Sequence, residues 1–301
     1  MRENILQLLT KLRLRGMENV LQRELDRAEK EGSPVSEVVY RMLMEEWAYR
    51  QERSLHYRIS QAKIPWQWTL ETFPFDRQPA IKRAQIKELA GLSFIHRMQN
   101  IVFIGNPGTG KSGLATGILK KALVAGYRGR FYNAQDLLDE LYASLADRTT
   151  PKLMKQLCRY HLLLIDELGY LTLNSEQINA FFKLMGERYG RTSTIITTNL
   201  DYPEWYDLFH KKPLVDALLD RLNHQCVTIR INGASLRAPT KQMVLITPLQ
   251  QHNPHSTSNT SNSPNNLPHL KPKIPLRLKH SSQLSVRTPG QLKQAQMGQF
   301  M

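Results

Sequence analysis

The run Gly105-Asn106-Pro107-Gly108-Thr109-Gly110-Lys111-Ser112 packs three glycines, a lysine and two hydroxyls into eight positions. It directly follows the apolar stretch Ile101-Val102-Phe103-Ile104 and directly precedes a helix-patterned stretch. Glycines so placed let a backbone close around phosphates with its N–H groups pointing inward, and the start of a helix adds a partial positive charge. Lys111 is placed to reach the β- and γ-phosphates of a nucleoside triphosphate, and Ser112 to ligate Mg²⁺. A fortuitous glycine-rich turn seldom has both a buried strand before it and an amphipathic helix after it. The order strand, loop, helix therefore points to triphosphate binding by residues 105–112.

A second cluster follows at Leu162-Leu163-Leu164-Ile165-Asp166-Glu167, where two acids end an apolar run. The carboxyl end of a buried parallel strand is where catalytic groups meet a loop-bound ligand. Asp166 fits the Mg²⁺ role. Glu167, adjacent and pointing elsewhere, fits a base that polarises attacking water. The bland alternative, an exposed turn, loses ground to the phosphate loop upstream. The β-rich run Ser193-Thr194-Ile195-Ile196-Thr197-Thr198 ends in Asn199, whose amide could orient water against the γ-phosphate, though Asn is also a common strand-ending turn residue.

These groups need elements to hold them. From residue 101 the pattern alternates: strand 101–105, helix 111–125, strand 129–133, helices near 135–146 and 151–158, strand 161–166, helix 175–189, strand 193–198, helices across 203–222 and strand 226–231. Near-continuous apolar strands imply an α/β fold, a parallel five-stranded sheet with helices on both faces. Ahead of it, residues 1–63 read as a small all-helical domain: Ile5, Leu8, Leu9 and Leu12 recur at helical spacing, and Val20, Leu21 and Leu25 continue the stripe. Ser33 is set to cap the next helix with Pro34 at its first position, and Val38, Val39, Met42, Leu43 and Trp47 to form its apolar face. Residues 64–95 form a connector whose aromatic start, Pro65 to Phe75, could pack near the nucleotide base or simply join the core. Residues 96–247 form the nucleotide-binding domain. After Pro248, Ser, Asn, Pro, Gln and His dominate, so residues 248–301 read as a disordered basic tail.

The formal charge of +15 is spread along the chain, with six basic residues and no acid in the tail. Such an excess suits nucleic acid, although a generally basic protein is the simpler reading. Two cysteines, Cys158 and Cys226, make neither a disulfide framework nor a zinc motif. The first residues carry no apolar signal core and no run approaches a membrane span, so a cytoplasmic, membrane-free protein is expected.

With phosphate loop, Asp-Glu strand and Asn-ended strand in order, followed by Leu218-Leu219-Asp220-Arg221-Leu222 and Gly233-Ala234-Ser235-Leu236-Arg237, the chain resembles the IstB/DnaC family of AAA+ ATPases over roughly residues 1–247, most of all its IstB-type transposition helpers. The resemblance implies a P-loop AAA+ fold of the ASCE type, ATP and Mg²⁺ as cofactors, and ATP hydrolysis stimulated by oligomerisation and DNA. It also implies a bacterial host, duplex DNA and the transposase of the same mobile element as partners, and ATP sites at the interfaces of a homo-oligomer. Arg221 matches the family's arginine finger, acting in trans, Arg237 its second sensor and Asn199 its first. Alone, Arg221 could equally be a surface ion pair with Asp220 or Asp216. Arg148, Lys152, Lys155 and Arg159 flank a helix between the second and third strands, with 152, 155 and 159 on one face. Related initiators and loaders contact DNA in this interval, which makes that face the leading DNA candidate beside a merely solvated one. The loop departs from the family pattern with Asn106 where Pro is common, Ser112 for Thr, and Gly113 where His often follows; no required group is lost. Three rivals remain: a DnaC-like loader of a replicative helicase, a P-loop kinase of a small molecule, and a DNA-binding protein with a relic nucleotide site.

Overall fold

The protein is described here by a computed structural model covering residues 2–169 and 171–237; the expected tail, and the end of the expected nucleotide-binding domain, lie outside the described residues. The chain opens with α1 (Arg2–Lys11), α2 (Arg15–Glu31) and α3 (Val35–Ala62). Leu9, Val20, Leu21, Val38 and Met42 form their small shared core. Gly16 sits so close to α3 that a Cβ there would lie 2.6 Å from the Glu46 Cα. The buried Glu46 carboxylate accepts from the backbone N–H of Gly16 at 2.7 Å and of Met17 at 3.3 Å, satisfying donors that the start of α2 leaves free.

Two local expectations change. Pro34 itself is the N-cap of α3, in extended backbone, and no side chain caps the helix. The expected apolar face of α3 also splits. Val38 and Met42 are buried, whereas Val39, Leu43 and Trp47 are 46%, 53% and 48% exposed. The covered stripe runs through Val38, Met42 and Glu46, one residue per turn, and leaves the adjoining positions outside.

The second half of α3 reaches the sheet domain. That domain runs through α4 (Arg83–Ala90), α5 (Ser93–His96), β1 (Asn100–Gly105), α6 (Lys111–Val124), β2 (Gly129–Asn133), α7 (Ala134–Ala146), α8 (Thr150–Leu157), β3 (Leu162–Asp166), α9 (Ser175–Arg188), β4 (Ser193–Thr198), α10 (Trp205–Phe209), α11 (Lys212–His224) and β5 (Cys226–Ile231), with 3-10 turns at Phe75–Arg77 and Tyr202–Glu204. Arg58 Nε donates to the Leu123 carbonyl at 2.9 Å, and Arg130 Nη1 to the Gln61 carbonyl at 2.7 Å, tying α3 to α6 and to edge strand β2.

All strands are parallel in the order β2-β3-β4-β1-β5. Side chains of β1 alternate between two cores: Ile101 and Phe103 pack with α4 to α6, Val102 and Ile104 with α7 to α11. Both faces are thus covered, which is why the middles of β1 and β3 read as unbroken apolar runs. With β1 flanked by β4 and β5, the sheet changes direction of winding beside it, and a crevice opens beyond the carboxyl ends of β1, β3 and β4.

Candidate nucleotide site

The loop between β1 and α6 is held in a conformation that its glycines permit. Gly108 has φ 82° and Gly110 φ 96°, and a Cβ on either would collide, with Ser235 Oγ at 2.1 Å or the Phe73 ring at 2.7 Å. The loop is therefore clasped between the connector and the segment after β5. Leu236 N–H donates to the Gly108 carbonyl at 2.8 Å, and the buried Gln78 amide donates to the Thr109 carbonyl at 3.1 Å and the Ala234 carbonyl at 3.0 Å. Thr109 Oγ1 closes the turn onto the Asn106 carbonyl at 2.8 Å. Lys111 Nζ donates to the carbonyls of Gly105 and Asn106 at 2.7 and 2.9 Å.

Over this loop lies a cavity of about 340 Å³. It is lined by Pro107, Gly108, Gly110, Lys111, Ser112 and Gly113 from the loop and the start of α6, by Glu167, Thr197, Thr198 and Asn199 from the ends of β3 and β4, by Leu236 and Arg237, and by Trp66, Trp68 and Phe73 of the connector. Burial holds the Lys111 ammonium below its usual pKa; Asp166 and Glu167 oppose that, and Arg237 adds to it. Lys111 thus feels both acids and Arg237.

Asp166 is fully buried at the end of β3. Its Oδ1 accepts from Thr197 Oγ1 at 2.5 Å, whereas its Oδ2, equally buried, has no hydrogen-bond partner among the described residues. Burial raises the Asp166 pKa and Glu167 reinforces that, whereas the Thr197 hydrogen bond and nearby Ser112 and Lys111 oppose it. An unpartnered buried carboxylate oxygen near Ser112 suits a cation ligand. Glu167 turns the other way because its backbone is left-handed, φ 62°. Its N–H donates to Thr197 Oγ1 at 3.0 Å, and its exposed carboxylate accepts from Asn133 Nδ2 at 3.2 Å.

Asn199 lines the cavity, its Oδ1 close over Gly169. Arg221 is not part of the lining; it lies on α11 with its guanidinium 5.7 Å from the Tyr189 ring centre. Arg148, Lys152, Lys155 and Arg159 are all exposed, but α8 stops at Leu157, so Arg159 stands in the turn beyond the helix rather than on its face. Sequence reading missed Thr197 and Asn133. The register signals both: Asn133 pairs with Asp166, and Thr197 lies one step past the Ile165–Ile196 pair.

A glycine loop after β1 and an acid pair at the end of β3, separated from it by β4, define a P-loop nucleotide-binding protein of the AAA+ class. Residues 7–244 match the model of the IstB-like ATP binding protein family, and the chain belongs to that family. It is 35% identical over 235 residues to an insertion sequence IS21 ATP-binding protein of Pseudomonas aeruginosa, covering 78% of this chain and 89% of that protein. It is likewise 35% identical over 208 residues to the corresponding IS5376 protein of Geobacillus stearothermophilus, covering 69% of this chain and 83% of the relative. Among solved structures, the DnaC helicase loader is 26% identical with a TM-score of 0.48, over 55% of this chain and 97% of that one.

Proposed function

We propose that this protein is a Mg²⁺-dependent ATPase of bacterial transposition, cytoplasmic, which assembles on duplex DNA in its ATP form and passes that DNA to the transposase of the same mobile element. The observation that carries the catalytic half is the partnerless, buried Oδ2 of Asp166 at the foot of the phosphate loop. Ser112 and Asp166 would hold Mg²⁺, with nucleotide oxygens and water completing the shell. When bound, the ion supplies charge neutralisation on the phosphates. Lys111 leaves the carbonyls of Gly105 and Asn106 for phosphate oxygens, an exchange of neutral for charged acceptors. Glu167 accepts a proton from the attacking water, and Asn199 and Arg237 hold the γ-phosphate side of the cavity. Trp66, Trp68 and Phe73 offer apolar faces to the base.

Arg221, not among the residues lining the cavity of its own chain, serves the site of a neighbouring subunit. An arginine finger is worth roughly 10³–10⁵ in turnover, so hydrolysis then depends on assembly. The insertion-sequence relatives support the transposition half, and exposed Arg148, Lys152, Lys155 and Arg159 support phosphate contact with little sequence preference. Sedimentation of the full chain with random-sequence duplex DNA, with and without a non-hydrolysable ATP analogue at two salt concentrations, tests the reading. Large, salt-sensitive complexes are expected only with nucleotide, and the Glu167→Gln protein should form them with ATP itself. A nucleotide-indifferent monomer overturns it.

A further inference from the structure

Among the described residues Arg221 is a cation without an ion-pair partner. Neither neighbouring acid on α11 pairs with it: Asp216 accepts from Tyr206 Oη at 2.5 Å, and Asp220 lies 3.8 Å from His224 Nε2. Among the described residues it makes no ion pair at all. Its guanidinium instead lies 5.7 Å from the centre of the Tyr189 ring, within cation–π range. Gly186, one turn earlier on α9, makes room for it: a Cβ there would stand 3.2 Å from Nη1.

The support under that ring is rigid. Arg188, next to Tyr189 and 1% exposed, donates to Thr194 Oγ1 at 3.0 Å, to the Leu157 carbonyl at 2.7 Å and to the Ser193 carbonyl at 2.6 Å, pinning the end of α9 to β4 and to the end of α8. A carboxylate in place of the ring would neutralise the arginine and compete with any phosphate for it. A π face orients the cation while leaving its charge and its donors for another acceptor.

We propose that Tyr189 and Gly186 form the positioning platform for Arg221, holding the guanidinium charged and unpaired on the α9–α11 surface so that it can enter the phosphate site of an adjacent subunit. The proposal rests on the reading of Arg221 as a trans-acting residue. Tyr189 and Gly186 touch no nucleotide; they act through Arg221.

The test is DNA-stimulated phosphate release by full-length protein. Tyr189→Leu should lower kcat by roughly tenfold or more, as a misplaced catalytic group does, with the KM for ATP and the affinity for a non-hydrolysable analogue unchanged. Tyr189→Phe, which keeps the ring face, should restore turnover. Mixing Tyr189→Leu with Glu167→Gln, whose Arg221 is intact, should exceed the summed activities of the two. Gly186→Ala provides a second probe that helix propensity protects from misfolding; its methyl displaces Nη1 and should lower kcat several-fold. Wild-type turnover by Tyr189→Leu and Gly186→Ala beside a slow Arg221→Ala overturns the platform and leaves the trans reading standing. A fully active Arg221→Ala overturns the trans reading itself. Failure of Tyr189→Phe to rescue, or a raised KM, reduces Tyr189 to a packing residue and overturns the proposal.

Discussion

The hydroxyl of Thr197 does two tasks that neither acid could do for itself. By donating to Asp166 Oδ1 and accepting from the Glu167 N–H, it fixes one carboxylate under the loop while the next residue swings outward. Asn133 then steers the Glu167 carboxylate from β2. Asn133→Ala should therefore lower kcat several-fold with analogue affinity unchanged; titration and steady-state turnover check it, and loss of binding instead would move Asn133 into the ligand contacts. Asp166 makes a pH prediction. Its folded pKa is raised, chiefly by burial, so the folded chain holds its proton more tightly than the unfolded chain. The contribution to stability is then most favourable below the unfolded pKa and is lost as pH rises through the folded pKa. In the nucleotide-free protein, the stability of wild type relative to Asp166→Asn should fall as pH rises across that window, measured by urea unfolding at several pH values. A pH-independent difference would contradict the assignment.

At the scale of elements, the connector is the wall of the site, and α6 is built to receive it. A Cβ at Gly117 would lie 2.6 Å from Leu70 Cδ2, and one at Gly113 would come within 3.6 Å of Phe73 and 3.7 Å of Trp68. Gly117→Ala should push the connector off α6, an overpacking cost of about 1–3 kcal/mol that outweighs the roughly 1 kcal/mol gained in helix propensity. The expected readouts are a lower melting temperature and a several-fold higher KM for ATP with kcat nearly unchanged. Residues 65–75 left base contact and core packing as alternatives, because a non-periodic stretch carries no face. In the fold Trp66 lies edge-on to Phe131 at 5.6 Å, Phe73 is buried in the core, and Trp66, Trp68 and Phe73 line the cavity. The short helices α4 and α5 within the connector were not read from sequence at all, being only eight and four residues long.

Across the whole molecule, a charge of +15 does not concentrate on one element, so DNA affinity at α8 must be tested by difference. Lys152→Glu with Lys155→Glu should weaken DNA binding at every sequence and flatten the plot of log affinity against log salt by about two. Unchanged binding would show α8 to be a solvated face. Both side chains are exposed, so folding should tolerate the change, and thermal melting provides the control. No described helix is long and apolar enough to cross a membrane.

The apolar runs of β1 and β3, alternating with helix-patterned stretches, determined the parallel α/β sheet, because strands buried on both faces lose the polar alternation of a half-exposed sheet. The glycine loop and the acid pair were likewise legible locally, since phosphate cradling and strand-end acids need neighbouring residues. Only the tertiary structure decided that Thr197 and Asn133 serve those acids, that the connector aromatics close the cavity, and that Arg221 rests on Tyr189 rather than on Asp216 or Asp220. Each of these depends on partners about 30 residues or more apart along the chain, brought together by sheet register and helix packing, which no local pattern encodes.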